Sequence, residues 1–344
     1  DFGAVALTAD AKVTLDGVRT IGKLAFGDAS GAHDWTLAPG AGGSLTLAAP
    51  GGARPEISVS NRAATVAVAL AGTNGFVKTG AGTLRLVSVN TYQGPTVVEQ
   101  GTLSVQALPY GAVAAYGFDS AAGLGQDASP QNNALATSAG SPQYDAVGKF
   151  GGALRLDGAS LLRTATGRFP SGVPTGAAPY TVSAFVRAAP ACSLSGGWIG
   201  YGNNETNRSN CFRISDAFTR VQNYWYFNDL IADLPAGASL TDGWHSVVGT
   251  WNGAEEALYV DGVKRASRTP AVRIYAGTND FVVGKTPAAA NFTGWVDDLL
   301  IADRAFAPEE VARLAAVGFQ AATRLPAATD VRIAAGATLD LNGA

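Results

Sequence analysis

Hydrophobic and polar residues alternate along short runs of this chain, and glycine closes many of them. Between residues 75 and 105 the sequence reads GFVKTGAGTLRLVSVNTYQGPTVVEQGTLSV, with Gly75, Gly80, Gly82, Gly94 and Gly101 at the corners. Leu84 and Leu86, then Val97, then Leu103 and Val105 keep a period of two, which predicts strands a few residues long joined by tight turns. An alternating run followed by Thr-Leu-Asp and a glycine recurs near both ends, at Thr14-Leu15-Asp16-Gly17 and at Thr338-Leu339-Asp340-Leu341-Asn342-Gly343. The middle of the chain has longer runs, at 180–187, 221–227, 244–251, 257–260, 281–283 and 295–301. Asp261-Gly262 between two of them predicts a type I′ hairpin. Many antiparallel strands in one stretch predict a β-sandwich. Near its end, Pro308-Glu309-Glu310-Val311 predicts a short helix with proline at the first position, acids in the first turn, and Val311 and Leu314 on one face.

Composition narrows the class. At 344 residues the chain is long enough for about two domains and a sizeable core. Apolar residues make up 47%, too many for a disordered chain, while 43 glycines and only 15% charged residues fit many tight turns. The predicted fold class is all-β, with residues 1–109 and 319–344 sharing one texture and 110–318 another. Tryptophan marks the difference: Trp198, Trp225, Trp244, Trp251 and Trp295 lie in the middle, and only Trp35 lies outside it. The net charge of −3 and the lack of a Lys/Arg cluster argue against nucleic acid. No apolar run is long enough to span a bilayer as a helix. There is no Met, as expected of a processed product or part of a longer chain.

The 75–105 stretch resembles the autotransporter-associated β-strand repeat of bacterial secreted proteins. The resemblance rests on Lys78-Thr79-Gly80-Ala81-Gly82-Thr83-Leu84, Asn90-Thr91-Tyr92-Gln93-Gly94 and Gly101-Thr102-Leu103. It implies a right-handed parallel β-helix, a solenoid, on a bacterial surface. The middle resembles the laminin-G-like, concanavalin-A-like jelly roll, through blocks in that family's order. These are Tyr116-Gly117-Phe118-Asp119, Gly151-Gly152-Ala153-Leu154-Arg155-Leu156-Asp157-Gly158, Asp242-Gly243-Trp244-His245-Ser246-Val247-Val248 and Leu258-Tyr259-Val260-Asp261-Gly262. Phe292-Thr293-Gly294-Trp295-Val296-Asp297-Asp298-Leu299 and Arg304-Ala305-Phe306-Ala307-Pro308-Glu309-Glu310-Val311 close the pattern. Together they imply a β-helix interrupted by an inserted jelly roll. The expected function is an extracellular structural or adhesive surface protein, a unit of a longer fibre or giant repeat protein. Its β-helix ends would self-associate or stack on further chain. A carbohydrate-binding module on a secreted stalk is the alternative, and glycans or other surface proteins are the expected partners.

Three sets of residues are candidates for chemistry. The jelly-roll resemblance implies a structural Ca²⁺ held by Asp119, Asp127, Asn133 and one of the adjacent pair Asp297 and Asp298, since neighbouring strand residues face opposite ways. Tyr201, Asn203, Asn204, Asn207, Tyr224, Tyr226 and Asn228 supply the rings and planar amides of a glycan surface. Rings in strands are also core material. Given the implied secreted context, Cys192 and Cys211 are expected either to pair in a disulfide, worth about 3 kcal/mol for a loop of about 20 residues, or to be two buried thiols. No enzyme is expected. Glycosidases of this sandwich use Glu-x-Asp-x-x-Glu or Glu-x-Asp-x-Glu on one strand, and neither spacing occurs. Glu255-Glu256 diverge, Glu309-Glu310 open the helix, and His33 and His245 are too few for zinc or a triad.

Overall fold

Hydrogen bonding between successive short runs divides the chain in two. The computed structural model describes residues 2–3, 5–40, 43–88, 90–105, 108–270, 277–278, 281–286, 290–322, 325–326 and 329–341. One unit comprises Asp1–Tyr110 with Phe319–Ala344, and the other Gly111–Gly318.

The first unit begins with β1 (Ala11–Leu15), β2 (Val18–Ile21), β3 (Lys23–Phe26), β4 (Trp35–Pro39), β5 (Ser44–Leu47) and β6 (Glu56–Val59). It continues with β7 (Ala63–Val66), β8 (Ala69–Gly72), β9 (Phe76–Thr79), β10 (Thr83–Leu86), β11 (Thr96–Val98) and β12 (Thr102–Val105). The second unit holds β13 (Ala112–Tyr116), β14 (Leu135–Ala139), β15 (Gln143–Asp145), β16 (Ala153–Asp157), β17 (Leu161–Thr164), β18 (Tyr180–Ala188), β19 (Gly197–Gly202) and β20 (Ser209–Ile214). It goes on through β21 (Arg220–Tyr224), β22 (Leu230–Asp233), β23 (His245–Trp251), β24 (Glu256–Val260), β25 (Val263–Arg268), β26 (Val282–Val283) and β27 (Thr293–Ala302). The helix α1 (Pro308–Ala322) leads back to the first unit, which ends with β28 (Val331–Ile333) and β29 (Thr338–Asp340).

In the first unit, successive strands visit three parallel sheets in turn as far as β10, after which they alternate between two of them. The sheet orders are β1-β4-β7-β10-β12-β29, β28-β11-β9-β6-β3 and β2-β5-β8. Alternation sends Leu24, Leu37, Ile57, Val66, Phe76, Leu84 and Leu103 into one core, each burial contributing about 1.5–3 kcal/mol. The corners need glycine: Gly80 has φ 76, and a Cβ there would collide with the carbonyl of Val59. Inside the motif, Lys78 is buried and its Nζ donates to the carbonyls of Thr79 (3.0 Å), Gly80 (2.5 Å) and Gln100 (2.9 Å). Asn90 caps the three-stranded sheet, its Oδ1 accepting the N–H of Leu70 at 3.1 Å where a further strand would have supplied a carbonyl. β12 pairs in parallel with β29, Leu103 opposite Leu339, so the chain re-enters its own ladder after the second unit. The two Thr-Leu-Asp runs accordingly lie in one sheet. Asn342 and Gly343 fall outside the described residues.

The second unit is antiparallel. Its eight-stranded sheet runs β15-β16-β27-β18-β23-β24-β25, with β13 sharing an edge of β27, and its seven-stranded sheet runs β14-β17-β26-β19-β20-β21-β22. Tyr116, Leu154, Val182 and Ile301 from the first sheet and Leu162, Trp198, Phe212 and Val221 from the second pack into one core, as in a sandwich. Asp261 (φ 52) and Gly262 (φ 78) form the hairpin that Asp-Gly predicts. The helix starts as expected: Glu310 Oε2 accepts the N–H of Ala307 at 3.0 Å, while Val311 and Leu314 are buried. Gly318, at φ 69, breaks its regularity.

Two expectations fail here. The run at 221–227 leaves the strand at Tyr224, because Asp229 Oδ1 takes the N–H of Trp225 at 2.9 Å and the chain turns. The expected Cys192–Cys211 bridge is absent. Phe212 and Ile214 point into the core, so Cys211, the residue before Phe212, faces the opposite side of the sheet, whereas Cys192 packs within the core cluster. The outcome is the other one considered, two buried thiols, and burial pushes the Cys192 thiol up.

Candidate functional site

Four of the seven glycan candidates meet where β21 ends. The Tyr224 and Tyr226 rings lie 5.9 Å apart, edge to face, and Phe227 packs on Tyr226 at 4.9 Å. Asn207 donates its N–H to the carbonyl of Trp225 at 2.8 Å, and the amide of Asn228 donates to Oδ1 of Asn207. Tyr226 (φ 63) and Phe227 (φ 81) both hold left-handed backbone, which costs a non-glycine residue of order 1–3 kcal/mol. Phe227 nevertheless leaves 77% of its surface exposed.

A buried polar anchor holds that turn. The Trp225 indole N–H donates to Oε1 of Glu256 at 2.7 Å inside the sandwich. Arg268 donates to Oε2 of Glu256 at 2.7 Å and also to the carbonyls of Asn228 (2.7 Å) and Asp229 (3.2 Å). Burial raises the pKa of Glu256, and the guanidinium opposes that rise. Arg213 lies 4.1 Å above the Tyr224 ring, a cation–π contact that fixes both side chains.

The other three candidates take different roles. Tyr201 is core: it is 1% exposed, accepts from the Asn210 amide at 2.8 Å and stacks on Phe281. Asn203 closes the β19–β20 connection, donating its N–H to the carbonyl of Arg208 at 2.8 Å, and Asn204 is exposed in that connection. Sequence reasoning missed Phe227, Arg213 and Arg268. No motif marks them, because the strand ladder and the 225–229 turn bring them together.

The expected calcium ligands fall into two hydrogen-bonded groups. Asp127 Oδ1 accepts from the N–H groups of Ala115 (2.8 Å) and Ser129 (2.9 Å), and its Oδ2 from the Ser129 hydroxyl and the Asn133 N–H. Asn133 in turn bonds the carbonyls of Val113 and Ser171. Asp119 accepts from Gly152 N–H at 2.9 Å, and Asp297 from Lys149 (2.7 Å), Phe150 (2.9 Å) and Asp298 (2.7 Å). Burial, with Asp119 nearby, pushes Asp297 up to about 7. The alternation argument for Asp297 and Asp298 does not apply, because Asp298 sits at φ 45 beside a register shift and both carboxylates flank Phe150. Donors take all four lone-pair positions of Asp127, and Asn133 Oδ1 accepts the N–H of Ser171, so these two do not fit a Ca²⁺ cage. Among the described residues no group of three or more His, Cys, Asp or Glu side chains is placed to hold a metal.

Of the acids weighed for catalysis, Glu309 is exposed in the first turn of α1 and the other three are engaged elsewhere. Glu255 pairs with Lys264 at 3.1 Å on the surface, Glu256 is the buried anchor, and Glu310 pairs with Arg304 at 2.6 Å. Among the described residues no helix is long and apolar enough to cross a membrane.

Comparison with known proteins agrees with both textures. Residues 163–312 match the Concanavalin A-like lectin/glucanases superfamily, and residues 76–105 match the passenger-associated-transport-repeat. Over 106 residues the chain is 40% identical to the adhesin BmaC autotransporter of Brucella suis biovar 1 (strain 1330), a stretch that is 31% of this chain and 3% of that protein. Similar solved structures include domain 4 of an extracellular GH43 arabinanase from Geobacillus stearothermophilus, in complex with arabinotriose. It is 21% identical with a TM-score of 0.44, covering 59% of this chain and 98% of that one. The binding domain of Paraclostridial Mosquitocidal Protein 1 is 18% identical with a TM-score of 0.46, covering 60% and 52%. The chain thus joins a passenger-associated-transport repeat of the autotransporter class to a concanavalin A-like, lectin-like domain.

Proposed function

We propose that this chain is part of an extracellular bacterial adhesin in which the parallel unit is a right-handed β-helix stalk and the sandwich is the contact module. The observation that carries the contact module is the pair Tyr226 and Phe227, two aromatic residues in left-handed backbone with Phe227 turned to solvent. Backbone strain of this kind persists where surrounding structure over-determines it, and it concentrates at binding sites. Here Glu256 and Arg268 provide the over-determination. The exposed Phe227 ring and the half-buried Tyr224 and Tyr226 rings, beside the amides of Asn207 and Asn228, offer a sugar its apolar face and its hydroxyl partners. We read the module as binding rather than catalytic.

The stalk reading draws on the rotation of strands through three parallel sheets and on the in-register return of β29. Such a ladder extends by adding further rungs of the same or another chain, which accommodates a fibre or long repeat protein. The relative that is named an adhesin supports the surface setting. The test is a glycan array probed with the whole chain and with Tyr226→Ala/Phe227→Ala. Binding of a glycan class that the double variant loses is expected. No glycan binding, or equal binding by the variant, overturns the assignment of this rim.

A further inference from the structure

The outer face of the eight-stranded sheet carries a second set of groups, away from the rim residues in the sequence and on the other sheet. Gln143 on β15, Arg155 on β16, Trp295 on β27 and Arg187 on β18 are directly paired neighbours across four strands. Their flanking residues Leu154, Leu156, Val186, Ala188 and Val296 point into the core, so the row faces outward. Trp295 is held upright by its indole N–H, which donates to Oδ2 of Asp145 at 2.9 Å. Arg187 lies 4.8 Å and Arg155 5.9 Å from the Trp295 ring centre. These cation–π contacts hold each guanidinium near the ring while its N–H donors remain available. Among the described residues neither guanidinium makes a hydrogen bond or an ion pair. Both are near enough to Asp145 to favour its ionised form, but neither closes on it.

We propose that this row binds an extended anionic polysaccharide with sparse charges, such as one carrying a carboxylate on every second sugar. The spacing decides the class. Arg155 and Arg187 flank a single strand, so their backbones are about 10 Å apart, twice the strand separation. Duplex DNA presents a charge about every 1.7 Å, far denser than two fixed guanidiniums match. Each carboxylate takes a two-pronged hydrogen bond from one guanidinium, and the exposed Arg155 and Arg187 on either side of Trp295 suit a chain lying across the strands. The site is independent of the Tyr226–Phe227 rim.

The test measures binding of the whole chain to hyaluronan oligosaccharides, with dextran, poly-glutamate, heparin and duplex DNA as comparators. Hyaluronan binding that weakens with salt, and that falls tenfold or more in Arg155→Ala/Arg187→Ala at an unchanged melting temperature, is expected. Arg155→Lys/Arg187→Lys should lose several-fold, since lysine keeps the charge but not the stacked fork. Phe227→Ala should leave hyaluronan binding unchanged, which separates this surface from the rim. The proposal is overturned if the chain binds no hyaluronan or if the alanine variant binds as well as the parent. Equal or tighter binding of poly-glutamate, heparin or DNA would also overturn it.

Discussion

The indole of Trp225 and the carboxylate of Glu256 meet inside the sandwich at 2.7 Å, joining the end of β21 to the start of β24. Arg268 completes the buried pair, so removing the charge strands a guanidinium beside the 228–229 carbonyls. Glu256→Gln should destabilise the second unit by about 3–5 kcal/mol, the usual cost of breaking one partner of a buried pair. Chemical denaturation of parent and variant checks this. A loss below 1 kcal/mol would mean that the pair does not anchor the turn.

Phe227 separates stability from binding. Its ring is mostly solvated and its φ of 81 suits glycine. Phe227→Gly should therefore leave stability unchanged or raise it by up to about 1 kcal/mol, while removing the ring from the proposed glycan rim. Thermal melting combined with the array measurement reads both effects on one protein.

His245 gives the sandwich a pH response. Its Nδ1 lies 2.8 Å from Asp261 and its Nε2 3.2 Å from the carbonyl of Ser239. The Asp261 contact raises its pKa above the ordinary histidine value. The folded state then binds the proton more tightly than the unfolded chain. The stabilisation is complete below about pH 6.5 and is lost as pH rises through the folded value. Melting temperature should decline over that window, and the decline should be smaller in His245→Gln. Identical pH profiles for the two proteins would exclude this contact as the source.

Tyr92 ties the returning segment to the repeat. Its hydroxyl lies 2.6 Å from that of Thr96, which lies 3.0 Å from that of Thr329, and the Thr329 hydroxyl donates to the Gly94 carbonyl at 2.6 Å. Tyr92→Phe should cost about 1 kcal/mol. The effect should fall on amide exchange of 331–333 more than on β6 or β7. Uniform loss of protection across the first unit would contradict that local role.

What sequence revealed and what it hid follow from the range of the forces involved. Period-two alternation and the left-handed glycine corners are local, so the strands around Leu84 and Leu103 were readable, as were the Asp261-Gly262 hairpin and the Pro308 helix start. The fate of Tyr201 was not, because Phe281, 80 positions along the chain, stacks on it and makes it core. Tyr226 was assigned to the wrong geometry because one side chain, Asp229, ends the strand three residues early. The calcium set came from the jelly-roll resemblance, and which backbone N–H groups would reach Asp127 and Asp297 depends on tertiary placement. Arg155, Trp295 and Arg187 carry no motif; strand register makes them a row.

The pairing of Leu103 with Leu339 has a mechanical consequence. Tension applied along the ladder passes directly from β12 to β29 through their backbone hydrogen bonds, and the 208 residues of Gly111–Gly318 need not transmit it. The sandwich could then be lengthened, exchanged or partly unfolded under shear without severing the load path, provided its two ends still return the chain to the same rung.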